Sequence, residues 1–263
     1  MQKISVTIIA LNEEENISAC LESVKWADEI LVSDSGSADK TVQICKEYGA
    51  KVFIDEWHGF GRQKNLIASR AKNNWILNID ADERITPDLK KEIESVLNRG
   101  CCEGYNIPRK NFFGNKWIRH CGWYPDYNLR LYRKDKARFN ERNVHEAVQI
   151  NGKVGCLKNP LEHYTYKNIS DYLKRMDRYS TLAAEEMFKT GFKGSRVQGF
   201  KGARVRMVDL TLRPFFTFLK MFILQKGFME GYTGLVLSGL YASYTFSKYA
   251  KLWEMSGKDI DRI

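Results

Sequence analysis

A chain of 263 residues, 43% hydrophobic and 28% charged with only five prolines, can bury a full core in one large domain with an appendage, and long disordered tracts are not expected. The formal charge of +10 points to an anionic partner without choosing among nucleotide, membrane surface and nucleic acid. Six cysteines with neither CxxC pairs nor regular disulfide spacing argue against a zinc ribbon or a disulfide scaffold and fit reduced thiols in a cytosolic compartment.

The N-terminus MQKISVTIIALNEEEN meets three glutamates directly after a short apolar run, so export through a signal peptide is not expected. ISVTIIAL is β-branched and nearly continuously apolar, as a parallel strand covered on both faces should be. Asn12 is then read as opening a helix, with Glu15 at capping-box spacing. EILVSD is a second strand, ADKTVQICKEYG a helix ending at Gly49, KVFI a third strand, RQKNLIASRAK a helix and WILNID a fourth strand. Thr86 and Pro87 suit the start of the next helix. The βαβαβαβ order predicts an α/β fold with a mainly parallel sheet and right-handed crossovers.

Ligands of such sheets sit beyond the carboxyl ends of the strands. Those ends read ALNEEEN, SDSGSAD, DEWHGFGRQKN and DADE, all polar and acid-bearing, which suits one binding crevice better than four unrelated turns. In the last of them Asp80 and Asp82 are two residues apart, so their carboxylates are expected to point the same way. Hard oxygen ligands of this kind suit Mg²⁺ or Mn²⁺ held together with substrate phosphates, and a diphosphate leaving group fits such a site. Asp34, ending the second strand, is placed to accept from a base or ribose, and Arg62 and Lys64 to meet phosphate charge. The plain alternative is a solvated turn with surface salt bridges.

From Cys101 to Tyr166 the pattern changes to short strands and loops rich in aromatics and arginine, read as an acceptor-side insertion, and from Ile169 onward helices dominate. Between Lys189 and Lys226 nine Lys or Arg stand against one acid, Asp209, interleaved with PFFTFLKMFILQKGF. Basic residues mixed with large apolar ones on helices describe an interfacial membrane surface, and no nucleic-acid-binding signature occurs. The uncharged run Gly231–Ser247 is shorter than the roughly 20 apolar residues that span a bilayer, so the chain is expected to lie on a membrane without crossing it. A core helix pair with a solvated basic face is the plain alternative.

The stretches VTIIALNEEENISACLESV, EILVSDSGSADKT, GFGRQKN and WILNIDADE, in this order and spacing, resemble the donor-site motifs of family 2 glycosyltransferases, inverting enzymes of the GT-A fold that bind nucleotide-diphospho-sugars. RLYRKDKARFNERNVHEAV, LEHYTY and GFMEGYTG are similar to the branch typified by the lipopolysaccharide inner-core β-1,4-glucosyltransferase. The resemblance implies nucleotide-sugar contacts from Leu11, Asn12, Glu14 and Ala81, a nucleobase contact from Asp34, a ribose or metal-water contact from Asp80, and Asp82 as metal ligand. Many family members carry Asp-Asp-Gly-Ser at the second strand, whereas this chain reads Asp34-Ser35-Gly36-Ser37, which keeps only the first acid.

An inverting transfer also needs a general base for the acceptor hydroxyl. Glu146 in NVHEAV is the first candidate, with His145 orienting it, and Asp126 in WYPDYN the second; His163 is a candidate to reach the metal or diphosphate from the far side. The expected organisation is a catalytic domain over 1–168, with a donor half 1–100 and an acceptor half 101–168, followed by a helical membrane-associating region 169–263. The expected activity moves a hexose, glucose, from a UDP-linked donor to a lipid-linked glycan such as the lipopolysaccharide inner core, at the cytoplasmic face of the inner membrane. A polyprenyl-phosphate or other cell-envelope glycan transferase is the alternative within the family, and an inactive sugar-nucleotide-binding scaffold the alternative outside it.

Overall fold

The computed structural model describes residues 2–140, 147–190 and 205–256. The described strands are β1 Ile4–Ala10, β2 Glu29–Asp34, β3 Lys51–Ile54, β4 Trp75–Asp80, β5 Glu83–Arg84, β6 Gly104–Phe113, β7 Lys116–Trp117, β8 Asp126–Arg133, β9 Ala137–Phe139, β10 Val148–Ile150, β11 Val154–Cys156 and β12 Leu161–Tyr166. The helices are α1 Ile17–Val24, α2 Thr41–Glu47, α3 Phe60–Ser69, α4 Pro87–Arg99, α5 Ile169–Thr190, α6 Met207–Leu210, α7 Leu212–Leu219 and α8 Tyr232–Met255. They fall into two compact units, Met1–Phe112 with Pro125–Thr165, and Phe113–Tyr124 with Tyr166–Ile263.

The first unit is built on one sheet of order β3-β2-β1-β4-β8-β6-β12-β5. β1, β2, β3 and β4 pair in parallel, and β8 joins β4 antiparallel. The sheet is covered on both faces, which explains the unbroken apolar run of β1. Val6 and Ile8 pack with Ile17, Leu21 and Val24 of α1 and with Leu89, Ile93 and Leu97 of α4, while Leu31 and Ile76 pack with Ile67 and Ala68 of α3. The polar members of β1 are paired where they are buried: Ser5 Oγ donates to Glu29 and Thr7 Oγ1 accepts from Asn78 Nδ2.

Thr86 caps α4 as expected, its hydroxyl accepting from the Leu89 amide. The helix read as opening at Asn12 begins later, at Ile17, with Asn16 at the N-cap. Asn12 itself is left-handed, φ 54°, because its side chain accepts from the Ala38 amide and its own amide donates to Ser37 Oγ. Those long-range bonds hold it in a conformation a helix start would not use.

In the second unit α7 and α8 pack antiparallel: Arg213 lies over Tyr249 and Thr217 Oγ1 is 3.3 Å from Thr245 Oγ1. α5 packs along α8, where Lys251 Nζ donates to Asp177, Ser180 and Thr181. The segment Phe113–Tyr124 adds Ile118, Cys121 and Trp123 to a small core with Met221 and Leu237. Glu230 closes this arrangement. Its buried carboxylate accepts from the Arg119 and His120 amides, from Lys116 Nζ, and bonds His120 Nδ1. Burial opposes ionisation there, but these donors outweigh it and hold the carboxyl below its ordinary value.

Glu230→Gln is therefore expected to cost about 1–3 kcal/mol at neutral pH, measured by urea unfolding. A group whose folded pKa is depressed contributes stability that is present above its unfolded pKa and lost as pH falls through the folded value. The gap between wild type and variant should accordingly close as pH drops below the ordinary glutamate range. Among the described residues no helix is long and apolar enough to cross a membrane.

Candidate active site

Two strand ends of the first unit, those of β1 and β2, are tied together by hydrogen bonds. Asp34, fully buried at the end of β2, spends its carboxylate on its own turn, accepting from the Gly36 and Ser37 amides at 3.0 and 2.8 Å and from Ser37 Oγ. Gly36 supplies the positive φ, 95°, that this turn needs. The loop after β1 is fastened to the loop after β2: Glu13 N donates to Thr41 Oγ1, Glu14 N to Asp39, and Lys40 N returns to Glu14 Oε2. Leu11 is half exposed beside this seam. The motifs at the ends of β1 and β2 thus form one rigid wall.

The second wall is an ion-pair network around β4. Asp80 Oδ1 is 3.0 Å from Lys64 Nζ, and Asp80 Oδ2 is 2.6 Å from Arg130 Nη2. Arg130 also reaches the fully buried Glu83 at 2.6 Å, and Glu83 in turn accepts from the Asp80 amide at 3.0 Å and lies 3.6 Å from Arg109 Nη1. Arg109 continues to Asp126. Burial opposes the charge on Asp80, but Arg130 and Lys64 outweigh it and hold the carboxyl well below the carboxylate range. Asp80 is therefore an ionised group of fixed orientation at the strand end.

Asp82, one residue past buried Ala81, is aimed by β12. The Tyr164 amide donates to the Asp82 carbonyl at 2.9 Å, and His163 Nε2 lies 3.5 Å from Asp82 Oδ2. The tautomer of His163 follows from its other neighbours. Asn111 Nδ2 donates to the Asp126 carboxylate, which can only accept, so Asn111 Oδ1 faces His163 Nδ1 at 2.7 Å and takes its proton. With Nδ1 as donor, Nε2 presents its lone pair 3.5 Å from the Asp82 carboxylate, so the two could share a cation.

The donor set fits a divalent metal. Asp82 and His163 are the side chains that could ligate it directly, and Asp80, engaged by Lys64 and Arg130, could orient a metal-held water. Among the described residues no three His, Cys, Asp or Glu side chains converge on one point. A metal here would complete its shell with substrate oxygens and water, the usual habit of magnesium.

The structure brings together Asp80, Ala81, Asp82, Lys64 and His163, and it joins Asp126 to them through Arg109 and Asn111. It does not bring Arg62 to that group. Arg62 and Lys64 are two residues apart on α3, so they leave the helix on different sides. Lys64 is buried against Asp80, whereas Arg62 lines a cleft of about 680 Å³ with His58, Tyr132, Lys134 and Arg138. Asp126 is also more committed than a free base. Burial opposes its charge, but Arg109, Asn111 and Asn128 outweigh it and keep the carboxyl below its ordinary range. His145 and Glu146 lie outside the described residues. Arg109, Asn111 and Arg130 join this network without having been singled out from the sequence. The available signal was the alternation Asp126, Asn128, Arg130 in DYNLRLYR, a polar face on a strand with buried Leu131 on the other.

The family description "Glycosyl transferase family 2" matches residues 5–165, which hold every element of this network. The chain belongs to glycosyl transferase family 2. It is an enzyme of the GT-A class, with the acid pair at the carboxyl end of the central strand β4. An uncharacterized glycosyltransferase of Rickettsia typhi is 34% identical over 98% of this chain and 89% of its own length. The lipopolysaccharide core biosynthesis glycosyltransferase LpsC of Rhizobium meliloti is 27% identical over 94% of this chain and 93% of its own. Among solved structures, S. aureus TarS 1–349 in complex with UDP covers 98% of this chain and 93% of its own, with 16% identity and a TM-score of 0.49.

Proposed function

We propose that this family 2 glycosyltransferase inverts the anomeric centre of a UDP-linked hexose, glucose, as it transfers it to a lipid-linked glycan of the lipopolysaccharide inner core. The observation that carries the reading is the Asp80–Asp82–His163 constellation, set in a chain that aligns with LpsC over nearly its whole length. Mg²⁺ or Mn²⁺ held by Asp82 and His163 would supply charge neutralisation at the diphosphate. Lys64 and Arg130 keep Asp80 ionised and still, so that it serves as a fixed acceptor for ribose or for a metal-bound water. The seam formed by Asn12, Glu14 and the Asp34 turn is the surface for the base and ribose, with Leu11 as its apolar edge.

For the proton of the acceptor hydroxyl we take Glu146 as general base. Asp126 is the weaker candidate because a carboxylate already accepting from a guanidinium and two amides has lost basicity. Glu146→Gln is expected to keep donor affinity and lower transfer by about 10²–10⁴-fold. Asp126→Asn should act chiefly on stability and on the orientation of His163. Single-turnover rates with saturating donor separate the two: retained transfer in Glu146→Gln with loss in Asp126→Asn would reassign the base. A panel of nucleotide-sugars, with core-glycan and polyprenyl-phosphate acceptors, tests the substrate assignment.

In this reading residues 1–168 carry the transfer chemistry and 169–263 the contact with an anionic membrane at the cytoplasmic face of the inner membrane. Charge supports it. Both acids between residues 205 and 253 are buried and neutralised, Asp209 by Arg213 and Arg206, Glu230 by Lys116 and His120. What that stretch shows to solvent is cationic, apolar or neutral polar, with no exposed acid.

A further inference from the structure

Exposed apolar side chains are not spread evenly over the second unit. One set lies along α6 and α7, where Met207, Leu212, Phe215 and Phe216 are exposed, and a second, holding the two most exposed side chains, Leu224 and Tyr232, stands where the antiparallel α7–α8 hairpin closes. The chain leaves α7 through a π-helical turn at Lys220–Leu224 and a 3₁₀ turn at Gly227–Glu230, with Lys226 left-handed between them at φ 56°. On this closed end Ile223 is 52% exposed, Leu224 78%, Phe228 54%, Met229 59% and Tyr232 89%. Such a cluster is a poor surface to leave in water, and its neighbours do not dilute it with negative charge. Glu230, the one acid among them, points inward to Lys116 and the Arg119 and His120 amides. Lys220 and Lys226 are exposed in the same turn, and Lys116 and Arg119 are held beside it through Glu230.

The turn is also rigid enough to act as a unit. Gly227 allows close packing, since a Cβ there would lie 2.7 Å from the Met221 carbonyl and 2.9 Å from Cys121 Sγ. Gly234 packs on the Gly227 carbonyl in the same way. Phe222 stacks on Phe218 and meets Phe228 edge-on, so the base of the turn is fixed by aromatic contacts while its tip stays bare.

We infer that the closed end of the hairpin, Ile223 to Tyr232, is a wedge that enters the interfacial layer of an anionic bilayer, with Lys116, Arg119, Lys220 and Lys226 as its headgroup collar. The inference rests on the membrane reading above and specifies it: the anchor is an inserted turn, not a helix lying flat by charge alone. An apolar tip ringed by cations that reach back to phosphate level is the complement of a headgroup layer over acyl chains. It does not complement a second copy of the same basic surface, which would bring like charges together.

The test is co-sedimentation of the full chain with vesicles of phosphatidylcholine containing about 30% phosphatidylglycerol, at low salt and at about 0.5 M salt, where surface charge is screened. Three proteins are compared: wild type, Leu224→Ser/Phe228→Ser/Met229→Ser, and Lys220→Gln/Lys226→Gln. Arg206 and Arg213 are left alone because both pair with buried Asp209. Wild type is expected to bind at low salt and to keep part of its binding at high salt. The triple serine variant should lose at least about tenfold in both conditions, and the lysine variant only the salt-sensitive part. Because the substituted side chains are exposed, all three proteins should unfold cooperatively, the triple serine variant at a slightly lower temperature for the lost Phe222–Phe228 contact.

Wild-type-like binding by the triple serine variant would overturn the wedge and leave charge-based association standing. Failure of wild type to bind at all would overturn both. A concentration-dependent dimer seen by light scattering for wild type and lost in the triple variant would assign the surface to a second copy and overturn the wedge as well. Transfer to a soluble acceptor fragment should be equal in all three proteins, so loss of the proposed activity and loss of the wedge are read from different measurements.

Discussion

Asp82→Ala is expected to abolish metal-dependent binding of UDP and reduce sugar transfer by at least about 10³-fold, while the protein remains folded. The carboxylate sits in the turn after β4, outside both apolar clusters of the first unit, with His163 Nε2 3.5 Å from Oδ2. Removing it leaves the backbone bond from Tyr164 to the residue 82 carbonyl intact, so β12 keeps its place. Titration calorimetry with UDP, with and without Mn²⁺, measures the effect directly. Equal UDP affinity with and without metal in the wild type would remove the metal from the proposal, and His163→Ala should then be silent as well. If His163 shares the metal with Asp82, its replacement weakens the metal-dependent component by the about 10–100-fold seen for ligand-shell changes.

Arg130→Met should have the largest effect on stability, about 3–5 kcal/mol lost in urea unfolding. The guanidinium is 6% exposed and is the cation shared by Asp80 and Glu83, so methionine fills the volume but leaves Asp80 with Lys64 and buried Glu83 with the more distant Arg109 at 3.6 Å. The variant should also become acid-sensitive in a defined direction. In the wild type Asp80 is held well below its ordinary pKa, so its contribution is present above the unfolded value and fades only as pH falls through the lower folded one. Without Arg130 the folded value rises toward the unfolded one and the contribution shrinks. Stability of wild type and variant should therefore diverge near neutral pH and converge in acid. A constant difference across pH would mean that Arg130 acts through packing alone.

Much of the donor site could be read along the chain because it is assembled from segments that each declare themselves. β1, β2 and β4 are apolar strands of six or seven residues alternating with short helices, and the acids at the strand ends stand at positions that local pattern alone assigns to one edge of a parallel sheet. The start of α1 was misjudged for a reason outside the local pattern: Asn12 is pulled into a left-handed conformation by bonds to Ser37 and Ala38, some 25 residues away. Arg62 and Lys64, two apart on α3, leave the helix on different sides, so Lys64 is buried against Asp80 while Arg62 lines the cleft with His58 and Arg138.

Composition, periodicity and strand-end acids by themselves predicted an α/β fold with a polar, acid-bearing crevice at the carboxyl ends of its strands and a basic, aromatic helical region at the other end of the sequence; that the crevice takes a sugar nucleotide was implied by the family resemblance. Only the tertiary structure decided what surrounds those acids. β8 pairs antiparallel with β4 in a register that sets Leu131 opposite Leu77, and this brings Arg130 onto Asp80. β12 returns to pair with β5, bringing His163 to Asp82. The pairing of distant strands depends on the free energy of the whole packed sheet, and a one-residue slip would turn Arg130 to the opposite face, so no local signal in DYNLRLYR or LEHYTY names its partner. The same holds at the hairpin tip: the sequence shows lysines among phenylalanines, but which of them face solvent follows from how α7 folds back on α8 and from the inward turn of Glu230.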